Sequence, residues 1–392
     1  MAGAIGADLA VIGLGGIGSA TAFFAARRGM RVIGFERFEL GGHARGASHD
    51  HSRIIRRSYH TEDYVRLAAA AYDAWREVEA ASGDRCLWTT GGVDLFPAGA
   101  AIDATTYTAA MEAAGVPFDR LTGADVRRRW PSIEVGDDIV ALYQADTGIV
   151  SPDRSVPSLQ RLATERGADL LGRSRVRELR PLDAGVELSV EGLDVPVRAA
   201  TVVVAADAWT NDVLASVDFQ LPLAVLQEQV SYYHVADPGP FALGHLPVWI
   251  WMDEPSFYGF PVFGRAGVKI AQDCGGQSVT GDTRRFAADP AILSRTDAFA
   301  RTFFGGRLGP AAHTATCLYT LTPDRNFVLG PVPGQPRVIV ALGAAHGYKF
   351  AAWFGRTLAA LAAGRQPDDD LAPFAVDRPA LAAPTGAVSW LV

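Results

Sequence analysis

The chain opens with a short apolar run that ends in a cluster of glycines. Residues 8–12 are apolar after their first position, which predicts a buried strand of a parallel sheet. An alanine-rich stretch follows the glycines as far as about Arg28 and predicts a helix, and residues 30–35 predict a second strand that ends at Glu36. This order of elements predicts that the chain begins as a βαβ unit.

Two similar apolar runs lie much further along the chain, at residues 201–205 and 337–342. Each is followed by small residues and then by a helix-like segment. Because consecutive βαβ units would bring such runs closer together in sequence, the spacing favours a doubly wound sheet assembled from separated segments.

The segments between these runs differ from them in their pattern of hydrophobic and polar residues. Residues 86–149 alternate short strands around an alanine-rich helix, and residues 216–300 hold aromatic strands broken by proline and glycine. We expect both segments to build one antiparallel substrate domain. The predicted fold is therefore α/β (α+β), with a discontinuous cofactor domain of residues 1–85, 150–215 and 316–392 and a substrate domain of residues 86–149 and 216–315.

Composition agrees with a folded chain of two domains and excludes several classes of partner. A length of 392 residues exceeds one compact core, and 49% hydrophobic with 20% charged residues is ordinary for a globular protein. The net charge of -7 argues against nucleic acid, which favours a basic face. Cys86, Cys274 and Cys317 have neither a disulfide-framework nor a zinc spacing, so we expect no metal and a reducing, cytoplasmic setting.

One nearly uncharged segment, residues 2–26, is long enough to resemble a membrane span. It holds six glycines, however, and lacks a basic start. The segment also divides into a strand, a turn and a helix. We therefore expect neither a membrane partner nor a targeting signal here.

The glycines after the first strand form the pattern Gly13-x-Gly15-x-x-Gly18. The first glycine permits a tight turn, the second lets a pyrophosphate approach the backbone, and the third lets the helix pack on the strand. Glu36 lies 18 residues beyond Gly18 and is placed to accept a hydrogen bond from a ribose hydroxyl. The pattern predicts a dinucleotide site, and its N-terminal position favours FAD only mildly over NAD.

Lysine is rare in this chain. Of its 36 basic residues only Lys269 and Lys349 are lysines. Since a lysine ammonium is compact and its pKa is readily tuned, two lysines among many arginines are candidates for specific roles.

Three further strings decide between the cofactors, because they carry a family resemblance. They are residues 48–56 (Ser-His-Asp-His-Ser-Arg-Ile-Ile-Arg), residues 259–269, and residues 317–324 (Cys-Leu-Tyr-Thr-Leu-Thr-Pro-Asp) followed by residues 343–350. In order and spacing they resemble the monomeric sarcosine oxidase and N-methyltryptophan oxidase family over essentially the whole chain. The resemblance implies a monomeric flavoprotein with a glutathione-reductase-like FAD domain.

The resemblance also implies how FAD is held. Cys317 stands where the family attaches the flavin through a thioether, a reaction that needs a thiolate, and nearby arginines would favour one. Glu36 and the three glycines of the loop complete the dinucleotide site. The further residues that we expect to contact the cofactor are Arg37, Ser48, Arg53, Val176, Gly347 and Lys349.

Catalytic roles follow from the same resemblance. Lys269 matches the lysine over the flavin that promotes reaction with O2, since a fixed ammonium stabilises superoxide. Arg53 would stabilise the anionic reduced flavin, and His49 would order the surroundings of the ring. Arg56 and Lys349 match the pair that binds the substrate carboxylate. Tyr258 and Tyr319 are expected to line the substrate cavity.

Three positions depart from the family pattern. Asp273 replaces a histidine that faces the substrate, and a carboxylate there would favour a cationic amine or a protonated imine. Asp207 and Ala345 each replace a glycine. The expected reaction is oxidation of the C–N bond of a secondary (N-methyl) amino acid by O2, giving an imine and hydrogen peroxide. A cyclic imino acid is the alternative substrate that Asp273 suggests, and a dehydrogenase with a protein acceptor is a less favoured class.

Overall fold

A computed structural model describes residues 5–101 and 103–382 of the chain. The strands of the first half are β1 (Ile5–Ile12), β2 (Val32–Phe35), β3 (Arg53–Ile55), β4 (Leu87–Thr89), β5 (Gly92–Phe96), β6 (Asp119–Thr122), β7 (Val140–Gln144), β8 (Gly148–Val150), β9 (Asp169–Leu171), β10 (Val176–Leu182) and β11 (Gly185–Val190). Those of the second half are β12 (Val197–Val204), β13 (Ala224–Tyr233), β14 (Val248–Trp251), β15 (Phe257–Phe260), β16 (Val268–Gln272), β17 (Gln277–Ser278), β18 (Ala311–Leu321), β19 (Val328–Val332) and β20 (Gln335–Leu342). The helices are α1 (Gly16–Arg27), α2 (Glu62–Ser82), α3 (Ala104–Ala113), α4 (Gly123–Arg129), α5 (Pro152–Glu165), α6 (Thr210–Leu214), α7 (Pro290–Phe303) and α8 (Ala351–Ala362).

The first sheet has a parallel centre in the order β9-β2-β1-β12-β20. β19 pairs antiparallel with β20, and the hairpin β10-β11 pairs antiparallel with β12. The strands predicted at residues 8–12, 30–35, 201–205 and 337–342 are confirmed as β1, β2, β12 and β20. β2 begins only at Val32, because the Met30 N–H still donates to the Ala25 carbonyl at the end of α1.

Small residues let α1 lie close to its neighbours. A Cβ on Gly18 would come within 1.8 Å of the Gly13 carbonyl oxygen, so only glycine allows the helix to approach the turn after β1. On the other side, a Cβ on Gly355 of α8 would lie 2.4 Å from the carbonyl carbon of Ala20. The third glycine of the loop therefore has the packing role that the pattern predicts.

The second sheet follows the order β17-β13-β16-β15-β14-β5-β7-β6, with β18 on the other side of β13. It combines strands of both predicted insertions, and its pairs are antiparallel apart from β5 with β14. That parallel pair joins the two insertions. Because strands so distant in sequence are not connected by a hairpin, they are free to pair in parallel. Helix α7, which the sequence analysis missed, packs on this sheet through Phe299, whose ring stacks 4.1 Å from that of Phe257.

The domain boundaries remain a prediction. β18 crosses the predicted boundary at residue 315, since it pairs with β13 from Ala311 to Leu321. A small sheet in the order β3-β8-β4 holds strands from both sides of the boundaries at residues 85 and 149. Among the helices that the structure describes, none is long and apolar enough to cross a bilayer.

Candidate active site

The first cavity opens where four parallel strands of the first sheet end. Its wall follows the carboxyl ends of β1, β2, β12 and β20, which is where open α/β sheets place their ligands. The residues predicted to bind the cofactor that line it are Gly13, Gly15, Glu36, Arg37, Ser48, Arg53, Val176, Cys317 and Gly347. Two of the predicted cofactor-binding residues do not line this cavity. Gly18 packs against the turn after β1, and Lys349 lines a second cavity.

Glu36 holds the turn between β1 and α1 as well as the end of β2. Its buried carboxylate accepts the N–H groups of Leu14 at 2.9 Å and Phe38 at 3.0 Å, and it lies 3.2 Å from Nε2 of His43. Burial opposes ionisation, but hydrogen bonding to His43 and to these amides keeps the pKa of Glu36 below its usual range. An anionic acceptor at this point suits a ribose hydroxyl.

The N-terminus of α1 is open towards the same cavity. Gly15 at the N-cap position has no side chain to cap the helix, and Ser48 Oγ accepts the Gly16 N–H at 2.9 Å. A Cβ on Gly15 would lie 2.9 Å from Ser48 Oγ, so a larger residue here would displace the Ser48 side chain that caps the helix. The positive end of the helix dipole therefore faces the cavity, as pyrophosphate binding requires.

The second cavity adjoins the first. Four residues line both: Arg53, Tyr319, Ala345 and Tyr348. All five residues predicted to bind the substrate line the second cavity, namely Arg56, Tyr258, Asp273, Tyr319 and Lys349. The hydroxyl groups of Tyr258 and Tyr319 lie 3.2 Å apart. A ligand in the second cavity would thus contact whatever occupies the end of the first cavity near Cys317.

Arg56 already has an internal carboxylate partner. Its guanidinium lies 3.4 Å from the carboxylate of Asp94 on β5, and both side chains are about 95% buried. The guanidinium also stands over the ring of Tyr59, 4.7 Å from its centroid. Burial raises the pKa of Asp94, and Arg56 opposes that rise. Much of the charge of Arg56 is therefore balanced inside the protein.

Lys349, by contrast, has no carboxylate within ion-pair distance among the residues described. Its ammonium lies 5.7 Å from the ring centroid of Tyr59 and lines the second cavity. Burial, together with Arg56 and Arg325, lowers the pKa of Lys349 to about 7. An anionic ligand would compensate this charge.

Asp273 pairs with an arginine that the sequence analysis missed. Arg325 Nη1 lies 3.2 Å from the Asp273 carboxylate, and both residues line the second cavity. The Arg325 carbonyl accepts from Nε2 of His346 at 2.9 Å, so the neutral His346 presents Nδ1 as an acceptor. Burial lowers the pKa of His346 well below its usual value. Arg325 directly follows residues 317–324, which carry part of the family resemblance. Nothing in that motif predicts that Arg325 pairs with Asp273.

Lys269 lies behind the wall of the cavities rather than in it. Its ammonium is 2.6 Å from the Asp50 carboxylate and donates to the carbonyl of Ser52 at 2.8 Å and to its hydroxyl at 3.1 Å. Lys269 is 1% exposed and lines neither cavity. Burial lowers its pKa to about 8, although Asp50 opposes this shift. The predicted contact of Lys269 with oxygen stays a prediction.

His49 also lines neither cavity. Burial, and then the charges of Arg53 and Arg284, lower its pKa to about 3, so the imidazole is neutral. Nε2 has no hydrogen-bond partner within residues 5–101 and 103–382. Its predicted ordering role near the flavin remains a prediction.

Comparisons with known proteins identify the family of this chain. The profile of the family described as FAD dependent oxidoreductase matches residues 8–361. The chain belongs to this family. A monomeric sarcosine oxidase of Streptomyces avermitilis is 34% identical and aligns over 91% of this chain and 93% of its own length. An N-methyl-L-tryptophan oxidase of Citrobacter koseri is 29% identical, covering 95% of this chain and 98% of its own.

Solved structures show the same fold. NikD, an unusual amino acid oxidase essential for nikkomycin biosynthesis, superposes on this FAD-dependent oxidoreductase with a TM-score of 0.85 and 26% identity, covering 95% of this chain and 97% of its own. The glycine loop, the open end of α1 and the anionic Glu36 fit the adenosine and pyrophosphate of FAD, and the cavity continues from them to Cys317. The fold class and the use of FAD expected from the sequence are thereby confirmed, while the covalent attachment through Cys317 stays a prediction.

Cys317 of this oxidoreductase has cations nearby, as the sequence predicts. Burial raises the pKa of Cys317 to about 11, whereas Arg53, Arg284 and Lys269 lower it and so favour the thiolate. Desolvation of the charged form outweighs the cations because the thiol is 5% exposed. Its cross-strand neighbour Glu228 adds to the effect.

Arg284 is a second residue that the sequence analysis missed. Its guanidinium donates to the carbonyl groups of Ala44 and Arg45, each at 2.7 Å, and to that of Thr316, which precedes Cys317. It therefore fastens the loop that covers the FAD cavity to β18. No local motif predicts this role, because Arg284 lies more than 200 residues from Ala44 and Arg45 in the sequence.

The two departures from glycine both lie on the FAD cavity and both have a positive φ. Asp207 has φ +48° and Ala345 has φ +72°, a region that glycine adopts without strain. Burial raises the pKa of Asp207 to about 6. Ala345 lines both cavities, so its methyl group narrows the opening between them. We have no physical account of why Asp207 replaces glycine.

Proposed function

We propose that this oxidoreductase oxidises the C–N bond of a small N-methyl amino acid and passes the electrons to O2, with an imine and hydrogen peroxide as products. The observation that carries the proposal is the ammonium of Lys349, which faces the second cavity without a carboxylate partner among the described residues. A substrate carboxylate is the anion that would complete this site. The relatives named as sarcosine and N-methyl-L-tryptophan oxidases support the same reaction.

The residues of the second cavity would orient the substrate. Its carboxylate would bind Lys349, with Arg56 beside it, while the carboxylate of Asp273 would accept a hydrogen bond from the amine. This orientation would present the carbon next to nitrogen to the edge of the cavity shared with the FAD site, where Tyr319 and Arg53 lie. FAD, when bound, supplies the two-electron oxidation.

The size of the cavity favours a small side chain. Its volume is about 110 Å³. A cavity of this volume holds only a few waters, since each water occupies about 30 Å³ in the liquid. Sarcosine fits such a space more readily than an N-methyl amino acid that carries an indole ring. We therefore place the substrate nearer to sarcosine than to N-methyltryptophan.

An amine panel with a peroxide readout tests the function. We expect sarcosine or another small N-methyl amino acid to give the highest kcat/KM, with carboxylate-free N-methyl amines far lower because they leave Lys349 uncompensated. Pipecolate and proline measure the alternative of a cyclic imino acid, which the carboxylate of Asp273 suggests. Preference for a simple amine would contradict the proposal, and turnover only with an artificial electron acceptor would indicate a dehydrogenase.

The flavin attachment gives a separate prediction. We propose that Cys317 forms a thioether with FAD, since its side chain lines the FAD cavity on β18. Acid-precipitated protein should then keep its yellow colour in the pellet. The variant Cys317→Ser should release FAD on precipitation, and Cys274→Ser should behave like wild type. Complete release of flavin from fully loaded wild type would show that the attachment is not covalent.

Two general properties complete the proposal. We propose that the enzyme acts as a monomer, as the name of its relatives indicates, and that it works in the cytoplasm. The three cysteines are free thiols in the structure, which suits a reducing compartment. Light scattering of the loaded enzyme would test the monomer directly.

A further inference from the structure

Lys269 occupies the middle of the second sheet with an aromatic residue on each side. On β16 it pairs across the sheet with Tyr232 of β13 and with Phe260 of β15. Its ammonium lies 5.9 Å from the ring centroid of Tyr232 and 4.8 Å from that of Phe260. Two rings give some cation–π attraction but cannot replace the lost hydration of a buried ammonium.

The groups that face Lys269 oppose one another in charge. Arg53 and burial disfavour the ammonium, whereas Asp50 and Cys317 favour it. His49 is close enough for Lys269 to lower the pKa of the imidazole, and that imidazole is neutral. Because the pKa of Cys317 is raised to about 11, Asp50 is the anion present near neutral pH.

Asp50 is itself held in a fixed place. One carboxylate oxygen accepts from the hydroxyl of Tyr232 at 2.6 Å, and the other lies 2.6 Å from the Lys269 ammonium. The backbone of Asp50 has φ +76°, a conformation that aspartate and asparagine adopt more readily than most other residues with a side chain. The two contacts of the carboxylate fix it beside the Lys269 ammonium.

We propose that Asp50 is the counter-ion that keeps Lys269 charged and in place, and that it is thereby a positioning residue for the reaction with oxygen. Tyr232 is the second anchor, because its hydroxyl orients the carboxylate. The part of this proposal that concerns oxygen rests on the oxidase function proposed above. The charge relation between Asp50 and Lys269 does not.

The scarcity of lysine allows a direct test in the whole protein. With ε-13C-lysine incorporated, only Lys269 and Lys349 contribute lysine signals, and Lys269→Met assigns them. Asp50→Asn keeps the shape of the side chain and tolerates a positive φ. We expect this change to lower the titration midpoint of Lys269 by about 1–3 pH units, the usual effect of one neighbouring charge. The signal of Lys349 should stay in place and serves as an internal control.

A matched variant controls for acid-to-amide changes in general. Asp153 pairs with His51 at 2.5 Å and is 37% exposed, so Asp153→Asn should leave the Lys269 midpoint unchanged. An unchanged midpoint in Asp50→Asn would overturn the proposal. If Asp50→Asn does not fold, the double variant Asp50→Asn/Lys269→Met should recover stability, since it removes both charges. A double variant no more stable than Asp50→Asn would also overturn it.

The pH profile of the oxygen reaction of the FAD-loaded enzyme tests the part of the proposal that concerns oxygen. In wild type the rate constant for reoxidation by O2 should fall as pH rises past about 8, and Asp50→Asn should move that fall to lower pH by the same interval as the NMR midpoint. Identical pH profiles in wild type and Asp50→Asn would overturn the proposed role of Asp50 in the reaction with oxygen. Negligible oxygen reaction in wild type, combined with a shifted Lys269 signal, would refute the oxidase function while supporting the ion pair.

Discussion

Lys269→Met is expected to slow reoxidation of the loaded enzyme by O2 about 10²–10³-fold, the loss typical of one electrostatic group in a water-poor site. Anaerobic reduction by the substrate should change much less, because no superoxide forms in that half-reaction. Stopped-flow measurement of each half-reaction separates the two effects. Equal slowing of both would make Lys269 a general structural element, and unchanged reoxidation would place oxygen activation elsewhere.

The ion pair dictates the control for this experiment. Removing Lys269 alone leaves the buried Asp50 carboxylate with Arg53, 3.9 Å away, as its remaining cation, and breaking a buried pair costs up to about 3–5 kcal/mol. The double variant Lys269→Met/Asp50→Asn should therefore be more stable to denaturant than Lys269→Met while reacting with oxygen as slowly. Recovery of fast reoxidation in the double variant would show that the single variant was defective only through the stranded carboxylate.

Lys349→Met is expected to raise the KM of the preferred amino acid strongly. Loss of one partner of a buried charge pair costs about 2–5 kcal/mol, which corresponds to roughly 30-fold to several thousand-fold in kcat/KM. Turnover of a carboxylate-free amine should be nearly unaffected. Steady-state kinetics with both substrates measure the difference, and an equal effect on both would show that the carboxylate is not bound at Lys349.

The pH dependence of KM follows from the same residue. The pKa of Lys349 in the empty pocket is about 7, so above that pH the neutral amine must take up a proton when a carboxylate binds. KM should therefore rise with pH above about 7. Lys349→Arg keeps its charge throughout this range and should flatten the profile.

Arg56 should respond differently from Lys349, because it has a partner inside the protein. Arg56→Met leaves the 94% buried carboxylate of Asp94 without its cation, so it should lower the free energy of unfolding by about 3–5 kcal/mol as well as weaken substrate binding. Arg57→Met is the matched control. Arg57 pairs at 3.5 Å with Asp146, which is 56% exposed, and such surface pairs contribute about 0–1 kcal/mol.

The sequence anticipated the elements and residues that follow local rules. Hydrophobic runs predicted β1, β2, β12 and β20, and the glycine spacing predicted the loop on which FAD depends. The family resemblance predicted five substrate-binding residues that the structure brings to one cavity, although they are spread over positions 56–349. Local periodicity and the motifs that carry the family resemblance are enough for such predictions.

The partners of those residues were not predictable. Asp94, Arg325 and Arg284 contact predicted residues or their neighbours only after the chain has folded, and Lys269 meets the loop of Asp50 across more than 200 residues. Pairing at that separation depends on sheet register, which a single sequence does not encode in any local pattern. The burial of Cys317 also depends on the tertiary fold, so the net shift of its pKa could not be inferred from the nearby arginines alone.

The parallel pairing of β5 with β14 has a consequence for synthesis of the chain. Gly92 lies opposite Val248, so the centre of the second sheet stays incomplete until the ribosome has made the residues of β14. Before then β5 can pair with β7 but keeps one edge open, although all five of its residues are buried in the finished fold. Until residue 251 has been made, the growing chain exposes this apolar strand edge, and exposed strand edges are a common route to aggregation.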